Sequence, residues 1–356
     1  MSDIPTISNA LVINSYGPPS VLQWTQITTP TIQSPHDVLI RVHATSVNPV
    51  EWKTRNGDFR LIFPLMAGFP HILGKDFSGT IVAVGSKISK FQVNDEVFGT
   101  VMDGAYSEYL IVNVETDGIE KKPRGLTHSE AAGVSIAALS AWGSLVDLGG
   151  LPVVGVNDGK NAEGSESGKP KVLIIGASGG VGTFAVQLAK VANNAHVTAI
   201  CSAKNVALVT SLGADSVIDY TTQDYASVLA LNHHETFDLV VDLVGQEGTY
   251  SKTSPLLKKT GIYVEAENEY CQENVSATDL LKFGFSSMIG RNFFGPRRSK
   301  NLFGVNQKDL RKIMPYLESG KVKTVVWREV PLSDGAKAHE LSETKRAVGK
   351  IIMTVL

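Results

Sequence analysis

Gly176, Gly179, Gly180 and Gly182 follow directly on the aliphatic run Val172-Leu-Ile-Ile175 and lead into the apolar helical pattern Thr183-Phe-Ala-Val-Gln-Leu-Ala189. Side chains are thus missing where a buried parallel strand turns into the start of a helix, the arrangement that lets a backbone approach a diphosphate. Gly179 and Gly180 permit the approach, and Gly182 lets the helix sit tightly on the strand. The free N–H groups and the positive end of the helix then hold negative charge. Ala177 stands where the commonest form of this fingerprint has its first glycine.

The sequence beyond the turn predicts a helix over 183–192 and a second strand over 196–201, ending in Ser202-Ala-Lys204-Asn205. A unit built for NAD usually carries an Asp or Glu about 20 residues past the glycines, to bind ribose hydroxyls. Here Ser202 is 20 residues past Gly182, with Lys204 beside it. A hydroxyl and an ammonium suit a 2′-phosphate, whereas a carboxylate would repel it, so NADPH is expected over NADH. The plainer alternative makes Lys204 an ordinary solvated lysine. A third short strand is expected over 217–220. A fourth, over 237–245, ends in glycine at the carboxyl edge, where ligands bind in such sheets.

The 356 residues suffice for two domains. Hydrophobic content of 43% with 19% charged is that of a soluble globular protein. A net charge of −2 gives no support for nucleic-acid or acidic-membrane binding. Cys201 and Cys271 are the two cysteines, too few for a disulfide framework or a multi-cysteine zinc site, and Cys201 reads as a small core residue. No apolar run is long enough to span a membrane. The start, Met1-Ser-Asp-Ile-Pro-Thr-Ile, has an early Asp and no Arg, so a cytoplasmic location is expected. A mitochondrial protein trimmed of its leader would read the same way.

Upstream of the turn the texture is short strands, over 10–14, 38–44, 79–85 and 106–112, separated by Gly and Pro. A capping box at Thr127 and Glu130 opens a helix expected to run over 131–148. The polar, glycine-rich stretch 156–168 reads as a surface insertion. Towards the end come an amphipathic helix over 307–320, a strand over 322–330, a helix over 333–344 and a last strand over 349–356. That last strand is expected to return to the first sheet. The expected organisation is a discontinuous β-rich domain over 1–135 and 301–356, with an α/β nucleotide-binding domain over 136–300 inserted in it.

The chain resembles the medium-chain dehydrogenase/reductase superfamily, in its zinc-free quinone oxidoreductase and enoyl reductase branch. The resemblance is carried by Ser46-Val-Asn48-Pro49-Val-Glu51-Trp-Lys53, Leu73-Gly-Lys-Asp76-Phe-Ser-Gly79, Val93-Asn-Asp95-Glu-Val-Phe-Gly99, the glycine turn and Val348-Gly-Lys350-Ile. From Gly176 through Tyr220 it looks closest to the reticulon-interacting mitochondrial NADPH oxidoreductases. The resemblance implies an α/β fold with a GroES-like β-rich catalytic domain and a Rossmann, doubly wound parallel-sheet domain. It also implies a homodimer. Zinc enzymes of the superfamily hold their metal with a Cys, a His-Glu pair and a second Cys. Asn48 stands at the first of these positions and Lys75-Asp76 at the pair, so no metal is expected.

Carried over residue by residue, the resemblance places Asn48 and Ser140 near the nicotinamide and Ser178, Gly179, Gly180, Val181 and Gly182 at the diphosphate. Ser202, Lys204 and Tyr220 would hold the 2′-phosphate end, with Val244 and Gly245 bordering the ribose. Phe303 and Gly304 would cover the nicotinamide, and Lys350 is a further cofactor contact. Many relatives have a tyrosine where this chain has Phe59, which lines the substrate pocket without a hydroxyl to offer. The expected reaction is hydride transfer from NADPH to a quinone or to an α,β-unsaturated carbonyl, an enal or enone. Asn48 would act in positioning, and no general acid is assigned; Tyr106 and Lys53 are neighbours by motif. One alternative is an enoyl-thioester reductase for coenzyme A or carrier-protein substrates, served by Arg291, Arg297, Arg298 and Lys300. Another is an NADPH-binding redox-sensing or structural protein with little catalysis.

Overall fold

A computed structural model describes residues 4–58, 60, 68–154, 168–232, 236–265, 297–300 and 309–355. The chain divides into two compact units, one of Met1–Leu139, Asn306–Met314 and Thr324–Leu356, the other of Ser140–Val305 and Pro315–Lys323.

The first unit opens with β1 (Ile7–Ile13), β2 (Gln23–Thr28), β3 (Asp37–Val47), β4 (His71–Ile72), β5 (Asp76–Val84), β6 (Glu96–Thr100), β7 (Tyr109–Asn113) and β8 (Gly118–Lys121). The organising strand is β3, apolar along most of its length and buried at all but two positions. It pairs antiparallel with both β5 and β7, and its register with β5 shifts twice, which curves the strand. A helix, α1 (Pro49–Asn56), starts as β3 ends. Pro49 sits in its first turn, where no N–H is needed, and Gly57 closes it at φ +88°.

The single helix expected over 131–148 is three pieces: α2 (His128–Ala132), α3 (Ser135–Trp142) and a π-helical turn over Gly143–Asp147. The break is at Gly133, where a Cβ would stand 2.5 Å from Thr324 Cγ2. Thr324 also donates its hydroxyl to the Glu130 carbonyl at 2.7 Å. A segment from far along the chain thus takes the room and the acceptor that a continuous helix would need.

The second unit holds β9 (Lys171–Ile175), the helix α4 (Gly180–Val191), β10 (His196–Cys201), β11 (Ser216–Asp219), β12 (Phe237–Asp242), β13 (Leu257–Glu265) and β14 (Arg297–Lys300). All its strands are parallel, in the order β11-β10-β9-β12-β13-β14. Leu173, Ile175, Ile200, Val240 and Tyr263 join one apolar core, as strands covered on both faces require. The order reverses between β9 and β12, which puts a switch point at the carboxyl end of β9.

The chain then returns to the first unit with β15 (Val326–Pro331) and β16 (Lys350–Thr354). β16 lies antiparallel to β3 and parallel to β15, so the last strand does rejoin the first sheet. The strand expected from 322 begins only at Val326. Ahead of it the Lys323 N–H is taken by Gln187 Oε1 at 2.9 Å, away from any strand partner.

Candidate functional site

In the second unit the turn after β9 divides its work among the glycines. Gly176 has φ +83°, so it, and not position 177, takes the left-handed conformation that opens the turn. Ala177 is fully buried. A Cβ on Gly182 would meet the Gly176 carbonyl oxygen at 2.2 Å, whereas one on Gly179 would come no closer than 3.4 Å to it. Gly179 is the N-cap of α4 and no side chain caps that end. The first-turn N–H groups, Gly180, Val181 and Gly182 among them, are therefore open to an external acceptor.

Neighbouring strand ends bring the other candidates to the same edge. Asn205 Nδ2 donates to Ser178 Oγ at 2.9 Å and to Ser202 Oγ at 3.2 Å. Lys204 is exposed between those two residues of the β10 end. Tyr220 is 57% exposed, more than a half-buried strand-end aromatic, and its N–H donates to the Cys201 carbonyl at 3.1 Å. The Val244 and Gly245 N–H groups both donate to Asp242 Oδ1, at 3.0 and 3.1 Å. Asp242 Oδ2 accepts the Tyr263 hydroxyl at 2.6 Å. Asn205, Asp242 and Tyr263 were not singled out from the sequence. The polar Asp242 closing an apolar run was the one available signal.

A carboxylate does stand near the β10 end, on the adjacent strand. Asp219 is in register with Cys201. Its oxygens accept from Thr221 N and Oγ1 and from Thr222 Oγ1, and these bonds hold its carboxyl below the usual range. Cys201 beside it is pushed up to about 11 by burial and by that carboxylate. Ser140 is half-buried on α3. Phe59, Phe303, Gly304, Cys271, Arg291 and most of the 156–168 insertion lie outside the described residues.

The first unit gathers a buried polar cluster where β3, α1, β5 and β16 meet. Glu51 accepts from Asn48 N at 2.7 Å and from Asn48 Nδ2 at 3.1 Å. Asn48 Nδ2 also donates to Asp76 Oδ2 at 2.9 Å, and Lys350 Nζ donates to Asn48 Oδ1 at 2.5 Å. Asp76 accepts in addition from Ser46 Oγ and Ile136 N, and faces Lys350 Nζ at 3.7 Å. Both amide protons of Asn48 and its oxygen are engaged within the unit. Burial, with Asp76 close by, pushes Glu51 up to about 7, while burial draws Lys350 down. The Tyr106 hydroxyl is buried and meets His339 Nε2 at 3.1 Å, and Arg55 Nη1 donates to His339 Nδ1 at the same distance. Lys53 is buried, its ammonium 5.5 Å from the Trp52 ring.

A parallel sheet with an uncapped glycine turn at its switch point, in a chain whose end closes a separate β-rich sheet, defines an α/β nucleotide-binding class of two-unit protein. Residues 34–124 match the alcohol dehydrogenase GroES-like domain and residues 212–353 the zinc-binding dehydrogenase domain. The mitochondrial NAD(P)H oxidoreductase RTN4IP1 of Mus musculus is 33% identical over 99% of this chain and 90% of its own length. The 2-methylene-furan-3-one reductase of Solanum lycopersicum is 30% identical over 98% of this chain and 80% of its own. The solved quinone oxidoreductase of Coxiella burnetii matches with a TM-score of 0.78 at 28% identity, covering 98% of this chain and 100% of that one. The chain belongs to the medium-chain dehydrogenase/reductase superfamily, in its quinone oxidoreductase branch, and is an oxidoreductase. Among the described residues no helix is long and apolar enough to cross a membrane.

Proposed function

We propose that this chain is an NADPH-dependent, zinc-independent reductase of quinones or α,β-unsaturated carbonyls. The observation that carries the reading is the β10 end, where two serine hydroxyls and the exposed Lys204 gather beside the open glycine turn. When bound, NADPH supplies the hydride. The chain's own part is to bind and orient. Ser178 to Gly182 take the diphosphate on backbone N–H groups, with no side chain at Gly179, Gly180 or Gly182 in the way. Ser202, Lys204 and Tyr220 take the 2′-phosphate with donors and positive charge. Val244 and Gly245, their N–H groups fixed by Asp242, border the ribose. Relatives named for reduction of a furanone and for quinone oxidoreduction support the acceptor class.

Zinc does not suit the residues at the corresponding place in the first unit. The groups that face one another there are an amide, two carboxylates, the Ser46 hydroxyl and the Lys350 ammonium. That ammonium already supplies a cation to Asn48 and Asp76, and among the described residues neither thiolate nor imidazole joins them. Asn48 acts in positioning, since each polar atom of its amide is committed.

The test is NADPH oxidation followed by absorbance with 9,10-phenanthrenequinone, a 2-alkenal, a cyclic enone and crotonyl-CoA, with NADH as the control. Turnover of a quinone or enone is expected, with kcat/KM about tenfold or more higher for NADPH. Silence with every acceptor would sink the reductase reading. Equal use of NADH would sink the cofactor preference, and turnover of crotonyl-CoA alone would move the substrate to thioesters.

A further inference from the structure

Ser178 and Ser202 come from different places, the glycine turn and the end of β10, yet both hydroxyls meet one nitrogen. A tight turn sets this up: the Asn205 N–H donates to the Ser202 carbonyl at 2.9 Å, folding Asn205 back beneath the strand end. Asn205 is 8% exposed, while both serines are half-buried. Its Nδ2 lies 2.9 Å from Ser178 Oγ and 3.2 Å from Ser202 Oγ. An amide nitrogen has two protons and accepts nothing, so one proton goes to each hydroxyl.

Both serine oxygens are therefore acceptors towards the protein. Among the described residues neither hydroxyl spends its own proton on another group. A hydroxyl that is already accepting is the better donor through its remaining hydrogen. Two O–H groups are thus set to donate to a ligand that only accepts, and a phosphate is such a ligand. Among the described residues the nearby Asp219 accepts from Thr221 and Thr222 and from neither serine hydroxyl.

We infer that Asn205 is a specificity-determining positioning residue, whose amide fixes the hydroxyls of Ser178 and Ser202 as outward donors and so selects the dinucleotide carrying the extra phosphate. This rests on the NADPH reading above. An aspartate at 205 keeps the shape but turns both donors into acceptors. The serine protons would then point inward, and the new negative charge would face a phosphate.

The experiment measures dissociation constants of NADPH, NADH and adenosine 2′,5′-bisphosphate for the full chain, Asn205→Asp and Asn205→Leu, with a thermal melt of each. In Asn205→Asp the affinities for NADPH and the bisphosphate are expected to fall about tenfold or more, with NADH changing by no more than about threefold. Asn205→Leu keeps a neutral, folded site if the aspartate variant fails to fold, and it too should lose NADPH affinity more than NADH affinity. A wild-type preference for NADPH that survives both substitutions overturns the role of Asn205 alone, as does equal weakening of both dinucleotides. Equal wild-type affinities overturn the NADPH reading and this inference with it.

Discussion

The Lys350 side chain is 4% exposed and its Nζ is bonded to Asn48, with the fully buried Asp76 at 3.7 Å, so each charge there depends on the other. Removing one member of a buried pair leaves the second uncompensated and costs about 3–5 kcal/mol. We therefore expect Lys350→Met to lower the unfolding free energy by that order in urea melts. The double variant Lys350→Met with Asp76→Asn should recover much of the loss, because the Asp76 charge is then no longer stranded. A double variant no more stable than the single one would show that packing, not charge, is what Lys350 supplies. Cys201 makes a second case at this scale. The residue is 2% exposed and its thiol is raised to about 11, so the thiolate that reacts is scarce at neutral pH. In a Cys271→Ser background we expect no reaction with a disulfide reagent until the chain is unfolded; labelling of the native protein would contradict the burial.

The glycine turn between β9 and α4 shows two reasons for one residue type within a single element. A Cβ at Gly182 would meet backbone oxygen at 2.2 Å, so Gly182→Ala must move the turn. We expect it to destabilise the protein by about 1–3 kcal/mol and to abolish dinucleotide binding. At Gly179 the nearest atom is 3.4 Å away, an ordinary contact. Gly179→Ala should then melt as the wild type does while losing NADPH, since its methyl group fills the space a diphosphate needs. Equal thermal stability in both variants would remove the distinction. This turn was legible in the sequence because its glycines, the strand before it and the helix after it are consecutive. The break at Gly133 was not, since its cause, Thr324, lies in a distant segment. Nor was Asn205, whose role rests on a bond to Ser178 across two strands. Asn48 and Lys350 could be named singly, but their contact joins residues 302 positions apart.

For the whole molecule, buried and half-buried titratable groups set how stability follows pH, and they pull in opposite directions. His43 is pushed down from 6.5 to about 4 by burial and by the neighbouring His128 ring, and His339 from 6.5 to about 3 by burial and by Arg55. Between those values and 6.5 the unfolded chain binds the protons that the folded chain refuses. Stability from both histidines is therefore full above pH 6.5 and is lost as pH falls towards 4 and 3. Glu51 acts the other way. Its folded value of about 7 lies above the 4.5 of a free side chain, so its contribution is full below pH 4.5 and disappears as pH rises through 7. The histidines, with His128 also lowered by burial, outweigh one carboxyl on the acid side, and above pH 6.5 the Glu51 contribution continues to fall away up to about pH 7. Unfolding free energies from urea melts should thus climb from pH 4.5 to a maximum near about pH 6.5 and dip slightly beyond it. His43→Gln should make the acid limb shallower, and Glu51→Gln should remove the dip. An acid limb as steep in His43→Gln as in the wild type would mean that His43 gains its proton in the folded state as easily as in the unfolded chain.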